Sequence, residues 1–239
     1  MTQHGKKYAD AAKKVDPKRE YSLEDAVKLL KETSYVKFNE TVELHARLGI
    51  DPRHSDQQVR TTVLLPAGLG KTVRILVFAE GEAAHAAEAA GADFVAGEEM
   101  INKIKNEEWT DFDVAIAVPD MMRKVGALGK VLGRKGLMPN PKAGTVANPE
   151  DLQRTIDEAR AGRVEFRNDK TGNVHIPIGK IQFTEAQILQ NLTAVIDALR
   201  GAKPSTSKGA YIKRIVLTST MGQSIRLNAD AAMTAPKEL

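Results

Sequence analysis

Ala67-Gly68-Leu69-Gly70-Lys71-Thr72, followed by Val73-Arg74-Ile75-Leu76-Val77-Phe78-Ala79, decides between two folds. The Gly-Lys-Thr ending is that of a nucleotide-binding phosphate loop. Such a loop needs a first glycine five residues before the second, and Leu65 stands there. It also needs a helix directly after the threonine, so that backbone amides and the positive helix end meet the phosphates. Val73–Ala79 is instead an apolar run of strand length. The stretch therefore reads as a hinge in which Gly68 and Gly70 lead the chain from one domain into the first buried strand of another.

Beyond that strand, apolar strands and helices alternate. The alanine-rich Glu82–Ala90 is helical up to Gly91, and Phe94–Ala96 is a short strand. Glu98–Trp109 carries Met100, Ile101 and Ile104 at helical spacing. Val114–Val118 is a third buried strand, and Asp120 is expected to cap a helix running through Leu132. Asn148-Pro149 opens a further helix that Gly162 ends. Continuous apolar strands separated by helices mean a parallel sheet covered on both faces, a three-layer Rossmann-like α/β unit.

The outer segments follow another pattern. Ser22 with Asp25 marks a helix start before Leu23–Glu32. Val42, Leu44, Ala46, Leu48 and Ile50 alternate with wet positions, as do Val59, Thr61, Val63 and Leu65. Arg163–Asn168 and Asn173–Ile178 flank Asp169-Lys170-Thr171-Gly172 as a hairpin. Thr184 and Gln187 open the helix Glu185–Arg200, before strands at Tyr211–Thr220 and Ser224–Asn228. Neither outer segment can close a core alone. Residues 1–67 and 160–239 are therefore expected to form one discontinuous α+β domain with residues 68–159 inserted. The joining strands would be Pro66–Lys71 and Ala161–Arg163, with Gly68, Gly70 and Gly162 as hinges.

The net charge of +4 hides an asymmetry, because residues 1–67 and 160–239 carry 24 basic against 16 acidic groups while 68–159 carry 11 against 15. Such asymmetry suggests a polyanion partner for the outer domain, the alternative being solvated surfaces that simply differ in charge. Apolar runs are no longer than a strand, so no membrane partner is expected, and the basic N-terminus does not read as a signal peptide. The absence of cysteine excludes disulfides and thiolate metal sites and suits a cytoplasmic protein. The five histidines lack metal spacing, the paired carboxylates fall on helix faces, and Gly126, Gly129, Gly133 and Gly136 miss the dinucleotide fingerprint. No catalytic residue, metal or cofactor is expected, and the chain is not read as an enzyme.

Three patches in the outer domain suit RNA. Lys37-Phe38 precedes the strand bearing Thr41 and Glu43, where an aromatic can stack on a base beside a phosphate-binding cation. Arg163, Arg167 and Lys170 crowd the hairpin, with Asn168 and Thr171 able to bond ribose or base edges. Ser219, Thr220 and Gly222 offer hydroxyls and close backbone approach, and Met221 a pliable apolar contact. In the insert, residues 121–148 hold Arg123, Lys124, Lys130, Arg134, Lys135 and Lys142 and no acid. They read either as a solvated face or as a second nucleic-acid surface.

Five stretches carry a resemblance. These are Lys135–Val146 (KGLMPNPKAGTV), His4-Gly5-Lys6 with Lys37-Phe38-Asn39-Glu40-Thr41, Phe166–Gly172 (FRNDKTG), and Ser219-Thr220-Met221-Gly222. Together they resemble the family of the bacterial large-subunit ribosomal protein number one, the protein of the mobile lateral stalk. The resemblance implies the same two-domain form, with a split βαβ-type RNA-binding domain. It implies direct 23S rRNA contacts at Lys37, Phe38, Thr41, Glu43, Arg167, Lys170, Ser219, Thr220, Met221 and Gly222. It implies a place among the other components of the large ribosomal subunit, assistance to release of exit-site tRNA, and repression through the protein's own operon mRNA. The family usually has proline where Gln223 stands. A nucleotide-binding enzyme and a general nucleic-acid chaperone remain the alternative readings.

Overall fold

Ser22 stops the backbone of an extended segment and starts a helix, its hydroxyl accepting a hydrogen bond from the Asp25 amide. Thr184 does the same through a full capping box with Gln187. These two helices form the cover of one core. In the computed structural model, residues 5–229 are described; His4 and the chain ends lie outside the described residues.

The first stretch contains α1 (Lys6–Ala12), which the sequence pattern did not suggest, then α2 (Leu23–Thr33), β1 (Thr41–Leu48) and β2 (Arg60–Leu64). Next come β3 (Ile75–Phe78), α3 (Glu82–Ala89), β4 (Phe94–Ala96), α4 (Glu98–Glu107), β5 (Val114–Ala117), α5 (Met122–Val125), α6 (Gly129–Arg134) and α7 (Leu152–Ala161). The chain then returns through β6 (Arg163–Arg167), β7 (Asn173–Lys180), α8 (Glu185–Gly201), β8 (Ile212–Ser219) and β9 (Ile225–Leu227). By internal contacts it divides into Met1–Gly70 with Val164–Leu239, and Lys71–Arg163.

In the discontinuous unit a sheet of order β7-β1-β8-β9 is antiparallel throughout. Because β1 lies between β7 and β8, the succession β7-α8-β8 is a split βαβ unit. Val42, Leu44, Ala46 and Leu48 of β1 pack against α2 and α8, with Ile176, Leu192, Ile215 and Leu217 in the same core. Thr41, Glu43, His45 and Arg47 face the other way. The continuous unit holds three parallel strands in the order β4-β3-β5. All four residues of β3 are buried. Leu76 and Phe78 pack on one side with Ile104 of α4, Val125 and Leu132; Ile75 and Val77 pack on the other with Ala87 of α3 and Ile156 of α7.

Four expectations need correction. Pro66–Lys71 is not a strand: Pro66 has no amide proton to donate, Gly68 and Gly70 both sit at φ 71°, and a turn closes from the Gly68 amide to the Leu65 carbonyl. Ala161–Arg163 is likewise the end of α7, a left-handed Gly162 and the first residue of β6. The hairpin at 169–172 joins strands that part at once. β6 pairs with β2 and β7 with β1, leaving only a bridge between Asn168 and Val174. The helix expected from Asp120 to Leu132 is broken into α5 and α6 by a 3-10 turn at Gly126–Leu128, where glycine weakens helical order. Asn148 accepts no side-chain capping bond, and Pro149–Asp151 is a 3-10 turn ahead of α7.

Candidate nucleic-acid interface

The start of β1 and the turn after β8 are tied together by backbone and side chain. Thr41 donates its amide to Thr220 Oγ1 at 3.0 Å, and the Thr220 amide donates to the Thr41 carbonyl at 3.1 Å. Lys180 Nζ donates to Thr41 Oγ1 at 2.7 Å, placing a cation beside both. The 219–222 turn closes from the Gly222 amide to the Ser219 carbonyl at 3.1 Å. A Cβ at Gly222 would meet Ser219 Oγ and force that hydroxyl to turn away, so glycine allows the close approach as it stands. Ser219 Oγ is buried there without a partner, as is Gln223 Nε2.

Glu40 holds the turn from beneath. Only 1% exposed, it accepts from the Met221 amide at 2.8 Å and from Ser34 Oγ at 2.7 Å. Tyr35 adds a hydroxyl bond to the Met221 carbonyl at 3.0 Å. The Met221 backbone is thus fixed at both polar atoms while its side chain stays 49% exposed. Phe38 is 54% exposed at the same end of β1, and Lys37 beside it is exposed too. This end of β1 thus carries two bare apolar side chains and the cations Lys37 and Lys180, with the Met221 backbone held by a buried carboxylate. Glu40 lies within the recognised Lys37–Thr41 run, but nothing in the sequence distinguishes a buried carboxylate from a wet one.

A second cluster sits at the far end of β1, where the Leu48 amide donates to the Gly172 carbonyl at 2.9 Å. Arg167 and Lys170 are exposed there, without ion pairs among the described residues. Asn168 and Thr171 are placed differently from the outward roles expected of them. Asn168 accepts from the Val59 amide at 2.7 Å and donates to the Asp169 carbonyl, and only 9% of it is exposed. Thr171 Oγ1 donates to the Asp169 carboxylate at 2.8 Å and accepts from Asn173. Partial burial would raise the Asp169 pKa, but the amides of Asn173 and Thr171, the Thr171 hydroxyl and the Asn173 side chain together lower it to about 2. The turn is therefore a carboxylate-centred knot that presents Lys170. Arg163 does not join this cluster. It bonds Glu158 at 2.8 Å and lies over Gly144, within the other unit.

Between the clusters, His45 and His175 are cross-strand partners with Nδ1 atoms 2.8 Å apart. Burial, then the neighbouring His175, depresses the His45 pKa against the opposing pull of Glu43. This pair, separated by 130 positions in sequence, was not legible before the register was known.

In the continuous unit half of the basic segment is occupied. Lys124 bonds Glu80 and Glu98, each at 2.8 Å, Arg134 bonds Glu108 at 3.1 Å, and Lys135 bonds Thr110. Arg123, Lys130 and Lys142 are exposed and lack ion pairs among the described residues. The phosphate-loop alternative loses its geometry, since Thr72 leads to β3 and no helix begins there. Gly68 is held by Asn191, which donates to its carbonyl at 2.9 Å and accepts from the Ala67 amide. Gly70 packs against Phe183, and Gly162 takes φ 106°. Among the described residues no cluster of His, Asp or Glu could hold a metal ion.

The sequence model of the ribosomal protein L1p/L10e family matches residues 30–223. The chain is 58% identical over 225 residues to a large ribosomal subunit protein uL1 of Chloroflexus aggregans, covering 94% of this chain and 95% of that protein. Its identity to the protein of that description from Chloroflexus aurantiacus is 57% over 232 residues, covering 97% and 98%. For Dehalococcoides mccartyi it is 54% over 231 residues, covering 97% of each.

Proposed function

The chain belongs to the ribosomal protein L1p/L10e family, and from that premise we propose that it is a structural, rRNA-binding protein of the large ribosomal subunit. Its discontinuous unit is the RNA-binding domain, and its continuous unit the insert. Binding is to 23S rRNA through the two clusters at the ends of β1. The observation that carries this reading is the Glu40-braced turn, which fixes the Met221 backbone and leaves its side chain bare at the end of β1 that also carries exposed Phe38 and Lys37 and the Lys180–Thr41 bond. Exposed apolar side chains on so fixed a backbone have no use in water and fit an unpaired base. Thr41, Glu43, Ser219, Thr220 and Gly222 shape that end, and Arg167 and Lys170 supply charge at the other.

The protein belongs to the stalk near the tRNA exit site. Arg123, Lys130 and Lys142 are the cations free to meet a departing tRNA, with Gly68, Gly70 and Gly162 as the hinge positions. Repression through the operon mRNA follows if that RNA repeats the rRNA shape. Met221→Asp places a carboxylate against the RNA without touching the amide that Glu40 holds. It is expected to weaken binding to a cognate large-subunit rRNA fragment by at least tenfold, corresponding to about 1.4 kcal/mol. Non-cognate structured RNA of equal length loses much less. Filter binding on both RNAs checks this, and equal losses on the two would favour a general nucleic-acid chaperone.

A further inference from the structure

Resting on that reading, we infer that the open face of the four-stranded sheet is itself an RNA-binding surface, with Arg47 and Arg214 bound to the phosphates that run between the two clusters. The register supplies the first reason. Arg47 of β1 and Arg214 of β8 are directly opposite each other, and both are exposed. Like charges facing across an antiparallel pair destabilise the sheet. Neither has an ion pair among the described residues. The acids of this face are engaged elsewhere: Glu43 lies 3.6 Å from His45, and Asp169 is bonded by Thr171 and Asn173. Two opposed, unneutralised guanidinium groups are a cost to the free protein that a polyanion removes.

The second reason is continuity. β1 runs from Thr41 in the first cluster to Leu48 at the second, about 23 Å at strand rise. An RNA engaging both ends has to cross the face between them. α2 and α8 cover the opposite face, and His175 and Arg47 are exposed among the described residues. Arginine also matches phosphate geometry with a fork of donors. The occupant argued for is thus the same RNA strand, not a second macromolecule.

The test uses the full chain with Arg47→Ala, Arg214→Ala and Arg47→Glu, measuring binding to the cognate rRNA fragment across a salt series together with thermal unfolding. Each alanine variant is expected to weaken binding and to reduce the slope of log affinity against log salt by about 0.7–0.9, the value for one phosphate contact. Its thermal midpoint stays level or rises, because the opposed charge is gone. Arg47→Glu forms an attractive cross-strand pair with Arg214, so its midpoint rises further while its binding falls below that of Arg47→Ala. Unchanged affinity and slope overturn the inference, and so does affinity that falls only in step with a lowered midpoint. If wild-type protein prefers the cognate fragment and Met221→Asp abolishes that preference, the proposed function stands whatever the arginine variants do. A wild-type chain with no preference for the cognate fragment would sink the functional reading instead.

Discussion

His45 shows how one side chain's surroundings set a property of the whole unit. Its ring stands 4.9 Å from that of His175, with Glu43 beside it and Asp169 beyond. Burial and the second imidazole both disfavour its charged form, so its folded pKa lies below 6.5. Below 6.5 the unfolded chain binds a proton that the folded chain resists. The contribution of His45 is therefore complete above about pH 6.5 and is lost as pH falls through its depressed folded value. Urea-unfolding free energies should be level from pH 7.5 to about 6.5 and decline below it, and His45→Gln should flatten that decline. A decline of equal steepness in the variant would assign it to another group. Little of this was legible in the sequence, where the five histidines show only that they lack metal spacing, and the pairing of His45 with His175 depends on the strand register. Glu40 and Asn168 were equally opaque, because burial of a polar side chain depends on partners far away in the chain, the Met221 amide for one and the Val59 amide for the other.

At the scale of elements, reading was best where the pattern is local. Capping at Ser22 and Thr184, the strict alternation in β1 and the buried run of β3 each depend on a few neighbouring residues. Errors fell where a partner outside the window decides. Between 163 and 180 the sequence has all the marks of a hairpin, yet β2 takes β6 and β1 takes β7, so the strands separate after one bridge. Residues 66–71 were read as a strand because the chain must cross there. In fact the crossing is made by two left-handed glycines, of which Gly68 is pinned to Asn191, a side chain that also donates to the Ile178 carbonyl at 2.7 Å. Asn191 is fully buried, and its amide satisfies three backbone groups of two different segments. Asn191→Ala is expected to destabilise the protein by roughly 1–3 kcal/mol for each of those groups that water cannot reach. Denaturant midpoints would show it, and a loss no larger than that of an exposed Asn→Ala substitution would refute the clamp.

For the whole molecule, the charge asymmetry and the position of the bare apolar side chains agree. The basic excess lies in the outer segments, and so do Lys37, Phe38, Lys170 and Met221. The core of the discontinuous unit draws on both outer segments, with Leu30, Val42, Leu65, Phe166, Leu192 and Leu217 in one cluster. Residues 1–70 joined to 164–239 through a short linker should therefore fold without the insert. The central claim is that this unit alone carries RNA recognition. Filter binding of the cognate 23S rRNA fragment by the joined unit, by residues 71–163 and by the full chain tests it most directly. The account predicts that the joined unit matches the full chain in affinity and in preference over non-cognate RNA, while residues 71–163 bind weakly and without preference. Binding of the cognate fragment by residues 71–163 as tight as that of the full chain would contradict it.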